Sequence, residues 1–233
     1  MAHLTKPLAD LAARLTAAER AALETLTDPA AIQAYLDATP YSTEARDRSP
    51  LNVMRDRVAH CLDGGLFAAM ALRRLGYPPL IVDLLPAPEL DDDHVLAIFK
   101  QDGCFGAVAK SNFVGLRYRE PVYRTLRELV MSYFEVFYNV DGVKTLRGYT
   151  LPYNLARLDR YGWMWDDVGV ARVMPAVLKR PAIALIGDDA ARRLCRVDAL
   201  SYRAGMLGTN PAGLYTPKAP GGRLVHHLPF QPA

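Results

Sequence analysis

One stretch limits what this chain can fold into more than any other: Ala59-His60-Cys61-Leu62-Asp63-Gly64-Gly65-Leu66-Phe67-Ala68-Ala69-Met70-Ala71-Leu72. After Asp63 it carries no charge until Arg73-Arg74, and Gly76-Tyr77-Pro78 stops it. A run this long and this apolar is predicted to be a helix buried on all sides rather than a strand. Its small residues (Gly64, Gly65, Ala68, Ala69, Ala71) would let neighbouring elements pack close. Cys61 falls in the first turn, where unpaired backbone N–H groups and the positive end of the helix dipole favour a thiolate. A cysteine there is either a nucleophile or a small buried hydrophobe.

The rest of the composition narrows the setting. The 233 residues, 51% hydrophobic and 23% charged, suffice for one large core. Net charge is only +3 and the two signs interleave without a basic block, which disfavours a nucleic-acid partner. Three widely spaced cysteines do not make a disulfide framework and point to a reducing, cytoplasmic setting. The opening Met-Ala-His-Leu-Thr-Lys-Pro lacks the charged-then-apolar pattern of a secretory leader. No uncharged run approaches the roughly 18 residues of a membrane span, so no membrane partner is expected.

Taken in order, Leu8 to Leu26 reads as one amphipathic helix. Asp28 then caps a short helix that opens at Pro29, and Ser49-Pro50 starts another leading to Cys61. Leu80 to Leu85 is a buried strand by its β-branched content, and a loop of prolines and acids (Pro86 to Asp92) follows. His94 to Lys100 and Cys104 to Lys110 form a hairpin about Gln101-Asp102-Gly103. Pro121 to Tyr138 is predicted helical, Tyr149 to Leu155 a short edge strand because of Pro152, and Trp163 to Leu178 and Asp188 to Ser201 helices. The prediction is an α+β domain over residues 1–208, with its core at about 40–115 and helical extensions either side. A loose Pro/Gly-rich tail is expected over 209–233.

Chemistry needs a base within reach of the thiol and a third group to fix that base. Cys61 opens the helix, His94 opens the second strand, and Lys110-Ser111-Asn112 closes its hairpin partner; these ends can meet at one sheet edge. Ser111 shares strand parity with Phe105 and Ala109, and Asn112 offers an amide. Oxyanion donors would be the Cys61 backbone N–H with Tyr41 or Asn52.

Several residues resemble the transglutaminase-like superfamily, a branch of the papain-like cysteine peptidase fold. They are Ser49-Pro50-Leu51 to His60-Cys61, Gly64 to Leu72 with Leu75-Gly76, Asp93-His94-Val95, and the hairpin ending at Phe105. The resemblance spans about Pro40 to Asn112 and is nearest a bacterial-type subgroup. It implies a central helix on an antiparallel sheet and a Cys–His site acting on an amide or ester bond, with no cofactor and no metal. The substrate would be a peptide or a small amide. The family's third residue, an aspartate, would fall near Ala109, where no carboxylate stands; a slip of register gives Lys110, Ser111 or Asn112. Asn112 would then hold the imidazole as asparagine does in the papain branch. Hydrolysis is expected over crosslinking, since no calcium-site pattern occurs. The same fold with catalysis weakened or lost would serve as a binding or scaffold module.

Other residues read more plainly. Cys104 and Cys195 are structural, His60 flanks the site because adjacent helical side chains diverge, and His226-His227 have no ligand spacing. Asp91-Asp92-Asp93 matches no metal-binding pattern and reads as a solvated loop, with Asp93 setting the charge near His94.

Overall fold

The structure, a computed structural model, describes residues 5–217. It is α+β: seven strands in one antiparallel sheet, with helices before and after the central strands. The expected buried helix is α5 (Cys61–Arg74), in which Leu66 to Leu72 are completely enclosed. It is preceded by α1 (Lys6–Ala12), α2 (Ala17–Glu24), α3 (Pro29–Ala38) and α4 (Pro50–Asp56). Asp28 and Ser49 cap α3 and α4 through the Ala31 and Asn52 amides, as their positions before proline predict. The single helix expected over Leu8 to Leu26 is two, because Thr16 and Glu19 form a reciprocal capping box that starts α2 afresh.

The sheet order is β4-β3-β2-β1-β5-β7, with β6 also on β1. The strands are β1 (Leu80–Pro86), β2 (His94–Gln101), β3 (Cys104–Val108), β4 (Arg119–Tyr123), β5 (Leu146–Thr150), β6 (Tyr153–Asn154) and β7 (Ala182–Ala184). Alternation along β2 sorts its side chains. Val95, Ala97 and Phe99 join the core shared with α5, whereas Leu96 and Ile98 join a second core on the opposite face. That second core is closed by α6 (Leu126–Met131), by 3-10 turns at Val114–Leu116 and Phe134–Val136, and by Leu185.

Differences from expectation lie mostly beyond residue 115. Pro121 to Tyr138 is not one helix: Pro121 sits in β4, a sheet edge where its missing N–H costs no ladder bond, and Thr125 caps a new short helix. Tyr149 belongs to an interior strand, and Pro152 divides β5 from β6 rather than marking an edge. Trp163 to Leu178 holds α7 (Asp167–Val170) and α8 (Val173–Val177), and Asp188 to Ser201 holds α9 (Asp188–Arg192) and the start of α10 (Ala199–Gly205). Asp166 and Asp198 cap α7 and α10, and each cap restarts the chain. Of the expected tail, residues 209–217 are exposed or half-buried and include a 3-10 turn at Pro211–Gly213; His226 and His227 lie outside the described residues. No helix among the described residues is long and apolar enough to cross a membrane.

Candidate functional site

Cys61, His94, Ser111, Asn112 and Tyr41 all line one cavity of about 270 Å³ at the end of the sheet. Each arrives for a local reason. Cys61 is the first residue of α5, whose start is fixed by Asp63 accepting the His60 backbone N–H at 3.2 Å. Tyr41 is pinned beside that start by a parallel bridge to Ala59, through Ser42 N–H to Ala59 C=O (3.0 Å) and Ala59 N–H to Pro40 C=O (3.2 Å). His94 opens β2 and has the parity of Leu96 and Ile98, so its ring enters the second core and meets Phe137 edge-on at 6.5 Å.

The group paired with the His94 ring is a backbone atom. His94 Nε2 lies 2.8 Å from the Leu116 carbonyl oxygen. A carbonyl only accepts, so Nε2 carries the hydrogen and Nδ1 keeps its lone pair. Neither expected orienter plays that part. Asn112 bonds the backbone of Asn210 through both halves of its amide, and Ser111 Oγ accepts the Phe113 N–H at 3.0 Å. Lys110 turns away altogether: its stem crosses Gly64 and its ammonium bonds the Leu36 (2.8 Å) and Thr39 carbonyls at the end of α3. Burial holds that ammonium down at about 8. Asn52 is also displaced from its expected role, since its amide donates to Asp167 Oδ1 at 2.7 Å and braces the start of α7. Of the two candidate oxyanion donors only Tyr41 remains; its phenol faces the Cys61 amide and is kept protonated by burial.

Cys61 and His94 share the cavity without a hydrogen bond between them. The thiol points instead to the Asp93 carbonyl, 3.9 Å from Sγ. Nor is the expected thiolate favoured. Burial, then the carboxylates of Asp93, Asp92 and Asp83, push the thiol well above its ordinary value, and they outweigh the helix N-terminus. Burial also lowers His94 to about 4. The resting pair is therefore neutral thiol and neutral imidazole.

The acids are only partly solvated: Asp92 is exposed, whereas Asp91 and Asp93 are half-buried. Asp91, Asp92 and Asp93 line the cavity, with Asp91 accepting the Thr145 hydroxyl at 2.6 Å and burial raising it to about 6. Asn139 helps place them by bonding the Leu90 carbonyl at 2.9 Å. Asp83 is fully buried on β1, and burial, then the charge of Asp93, push its carboxyl well above the usual carboxylate range. Burial raises Asp93 itself to about 6. Between that value and the unfolded ~3.9 the folded chain binds the extra proton, so Asp93 favours folding as pH falls and opposes it above 6. Asp93→Asn is accordingly expected to raise stability at pH ~8 by about 1–2 kcal/mol and to leave it unchanged near pH ~4. The same change removes the strongest charge acting on Cys61, so alkylation of the thiol should begin at lower pH. Urea melts at the two pH values and a pH–rate profile for iodoacetamide check both.

Asp47, His60 and Asp63 bring one ligand atom each within 4.8 Å of one another. Asp63 already accepts the Arg48 amide at 2.6 Å and faces the Arg48 guanidinium at 3.8 Å, so this trio is an ion-pair network at the helix start. Sequence reasoning missed Leu116, whose role leaves no trace in its side chain, and Phe137, which lay in a stretch read as helix. No protein-family model matches the sequence, and comparison with curated proteins gives no match either.

Proposed function

We propose that this protein is a transglutaminase-like cysteine hydrolase or acyltransferase of papain-like architecture, acting on an amide or ester bond in a reducing, cytoplasmic setting. One observation carries the reading: the Leu116 carbonyl fixes the His94 tautomer and leaves Nδ1 unprotonated, in a residue that lines the same cavity as Cys61. Because thiol and imidazole rest neutral, proton transfer accompanies attack. Cys61 Sγ bonds to the substrate carbonyl carbon while its hydrogen passes to His94 Nδ1. The Cys61 N–H and the Tyr41 hydroxyl receive the oxyanion, and Leu116 steadies the imidazolium. Nδ1 then returns the proton to the departing amine or alcohol as the carbon–heteroatom bond breaks, leaving a thioester. Water, deprotonated by the same nitrogen, cleaves that thioester.

The test is acylation by 4-nitrophenyl acetate. About one equivalent of nitrophenolate should appear in a burst, with the acetyl group found on Cys61 by mass spectrometry; Cys61→Ser should abolish the thioester. His94→Gln should slow acylation by about 10²-fold or more. No acetyl on Cys61, or an unchanged rate in His94→Gln, would sink the proposal. A second reading, a binding or scaffold module on the same fold with catalysis lost, is favoured by the thiol lying against the Asp93 carbonyl among carboxylates that keep it protonated.

A further inference from the structure

Residues 210–215 run across the Cys61 cavity. Asn112, 6% exposed, uses both halves of its amide on a single residue: Asn210 N–H donates to Oδ1 (2.8 Å) and Nδ2 donates to the Asn210 carbonyl (2.9 Å). Asn210 in turn caps the Pro211–Gly213 turn through the Ala212 amide at 3.1 Å. Gly213 then lies on the Tyr41 ring so closely that a Cβ there would sit 2.9 Å from Tyr41 Cδ1 and 3.3 Å from Asn112 Nδ2. Leu214 and Tyr215 complete the cavity wall.

Two features separate this from ordinary packing of a chain end. A side-chain amide that pairs with the N–H and C=O of one residue reads peptide backbone and not side chain, so it accepts any extended segment in that register. The contact also falls on the cavity holding the thiol, the imidazole and the Tyr41 hydroxyl. Pro211 and Ala212 are exposed, and the Asn112 amide and the Tyr41 ring are the contacts that hold Asn210 and Gly213.

We infer that Asn112 is a peptide-backbone subsite of the Cys61 cavity, occupied in this structure by the chain's own Asn210–Tyr215 as an autoinhibitory strap that an extended peptide ligand must displace. The inference rests on the cavity described above but not on turnover: it requires only that the strap leave and a peptide enter. The acyl-transfer reading therefore stands or falls separately.

The test uses the full chain and site-resolved labelling of Cys61 by a bulky maleimide at mildly alkaline pH. Asn112→Ala removes both backbone bonds, and Gly213→Val drives the strap off Tyr41 while keeping the subsite. With each net hydrogen bond worth roughly a factor of a few in the closing equilibrium, each variant should label about tenfold faster than the parent. The peptide acetyl-Asn-Pro-Ala-Gly-Leu-Tyr-amide, added in trans at millimolar concentration, should return Gly213→Val to the parent rate. It should leave an Asn112→Ala/Gly213→Val double variant unprotected. Unchanged labelling in both single variants, no protection of Gly213→Val, or equal protection of the double variant would each overturn the inference.

Discussion

Gly64→Ala is expected to destabilise the protein by about 2–3 kcal/mol, although alanine normally stabilises a helix interior by about 1 kcal/mol over glycine. The sign is decided by what crosses α5 at that point. A Cβ on Gly64 would lie 2.1 Å from Lys110 Cβ and 3.4 Å from Lys110 Cα, so relief requires movement of backbone and not merely of a flexible tip. Lys110 cannot swing aside freely, because its ammonium is bonded to the carbonyls ending α3. Gly65→Ala should cost less, about 1 kcal/mol net, because the Val95 Cγ1 it would meet at 2.7 Å is a side-chain atom. Urea denaturation midpoints rank the three proteins; a Gly64→Ala midpoint at or above the parent would show that helix propensity outweighs the overlap. The effect also reaches the site. Gly64 stands one turn from Cys61, so a helix pushed off Lys110 carries the thiol with it.

That pair explains why the sequence was legible up to about residue 112 and much less so beyond. Gly64 and Gly65 announce close packing by their small size, Asp28-Pro29 and Ser49-Pro50 announce helix starts, and Gln101-Asp102-Gly103 announces a hairpin. Each is a local signal with one physical meaning. From Pro121 onward the elements are short and are set by single caps such as Thr125, Asp166 and Asp198, which the apolar spacing of Val122, Leu126, Leu129 and Tyr133 conceals. Leu126, Leu129 and Tyr133 do face a core, from a short helix and the turn after it, whereas Val122 on β4 is 65% exposed.

At the site, Cys61 and His94 were legible because their position at the start of an element is a property of sequence. The group holding His94 was not. A backbone carbonyl can come from any residue, and Leu116 is brought there by a 3-10 turn that no residue type marks. The ionisation state differs from the expected thiolate for a related reason. A helix N-terminus is visible in sequence, whereas burial of the thiol beside Asp93 and Asp83 depends on strands that are distant along the chain. Asn112 lines the same cavity, but its amide pairs with the backbone of Asn210, 98 residues away.

Asp63→Ala is expected to cost about 3 kcal/mol, and to disturb Cys61 more than its distance from the cavity suggests. The carboxyl is fully buried and accepts two backbone amides, Arg48 N–H at 2.6 Å and His60 N–H at 3.2 Å. Alanine leaves both donors unpaired, at roughly 1–3 kcal/mol each, partly offset by no longer burying a charge. Arg48, 2% exposed, keeps its bonds to Asp56 and Glu44 but loses its tie to the helix start. Asp63→Asn should cost less, about 1–2 kcal/mol, because its oxygen still accepts one amide while its NH2 faces the other donor. The two variants also differ from the parent in pH dependence. Burial raises the Asp63 carboxyl to about 6, so between that value and ~3.9 the folded parent binds the extra proton and gains stability as pH falls. Both variants should lack that contribution. What makes Asp63 more than a packing residue is the segment it tethers. Through Arg48 and Ser42 it holds the strand-like run that sets Tyr41 beside Cys61, at 3.2 Å from Arg48 Nη1 to Ser42 Oγ. If that chain of contacts orders the site, then in folded Asp63→Asn, below its melting range, acylation at Cys61 should fall severalfold. Acylation at the parent rate in that variant would mean that the helix start and Tyr41 keep their places without the Asp63 tie.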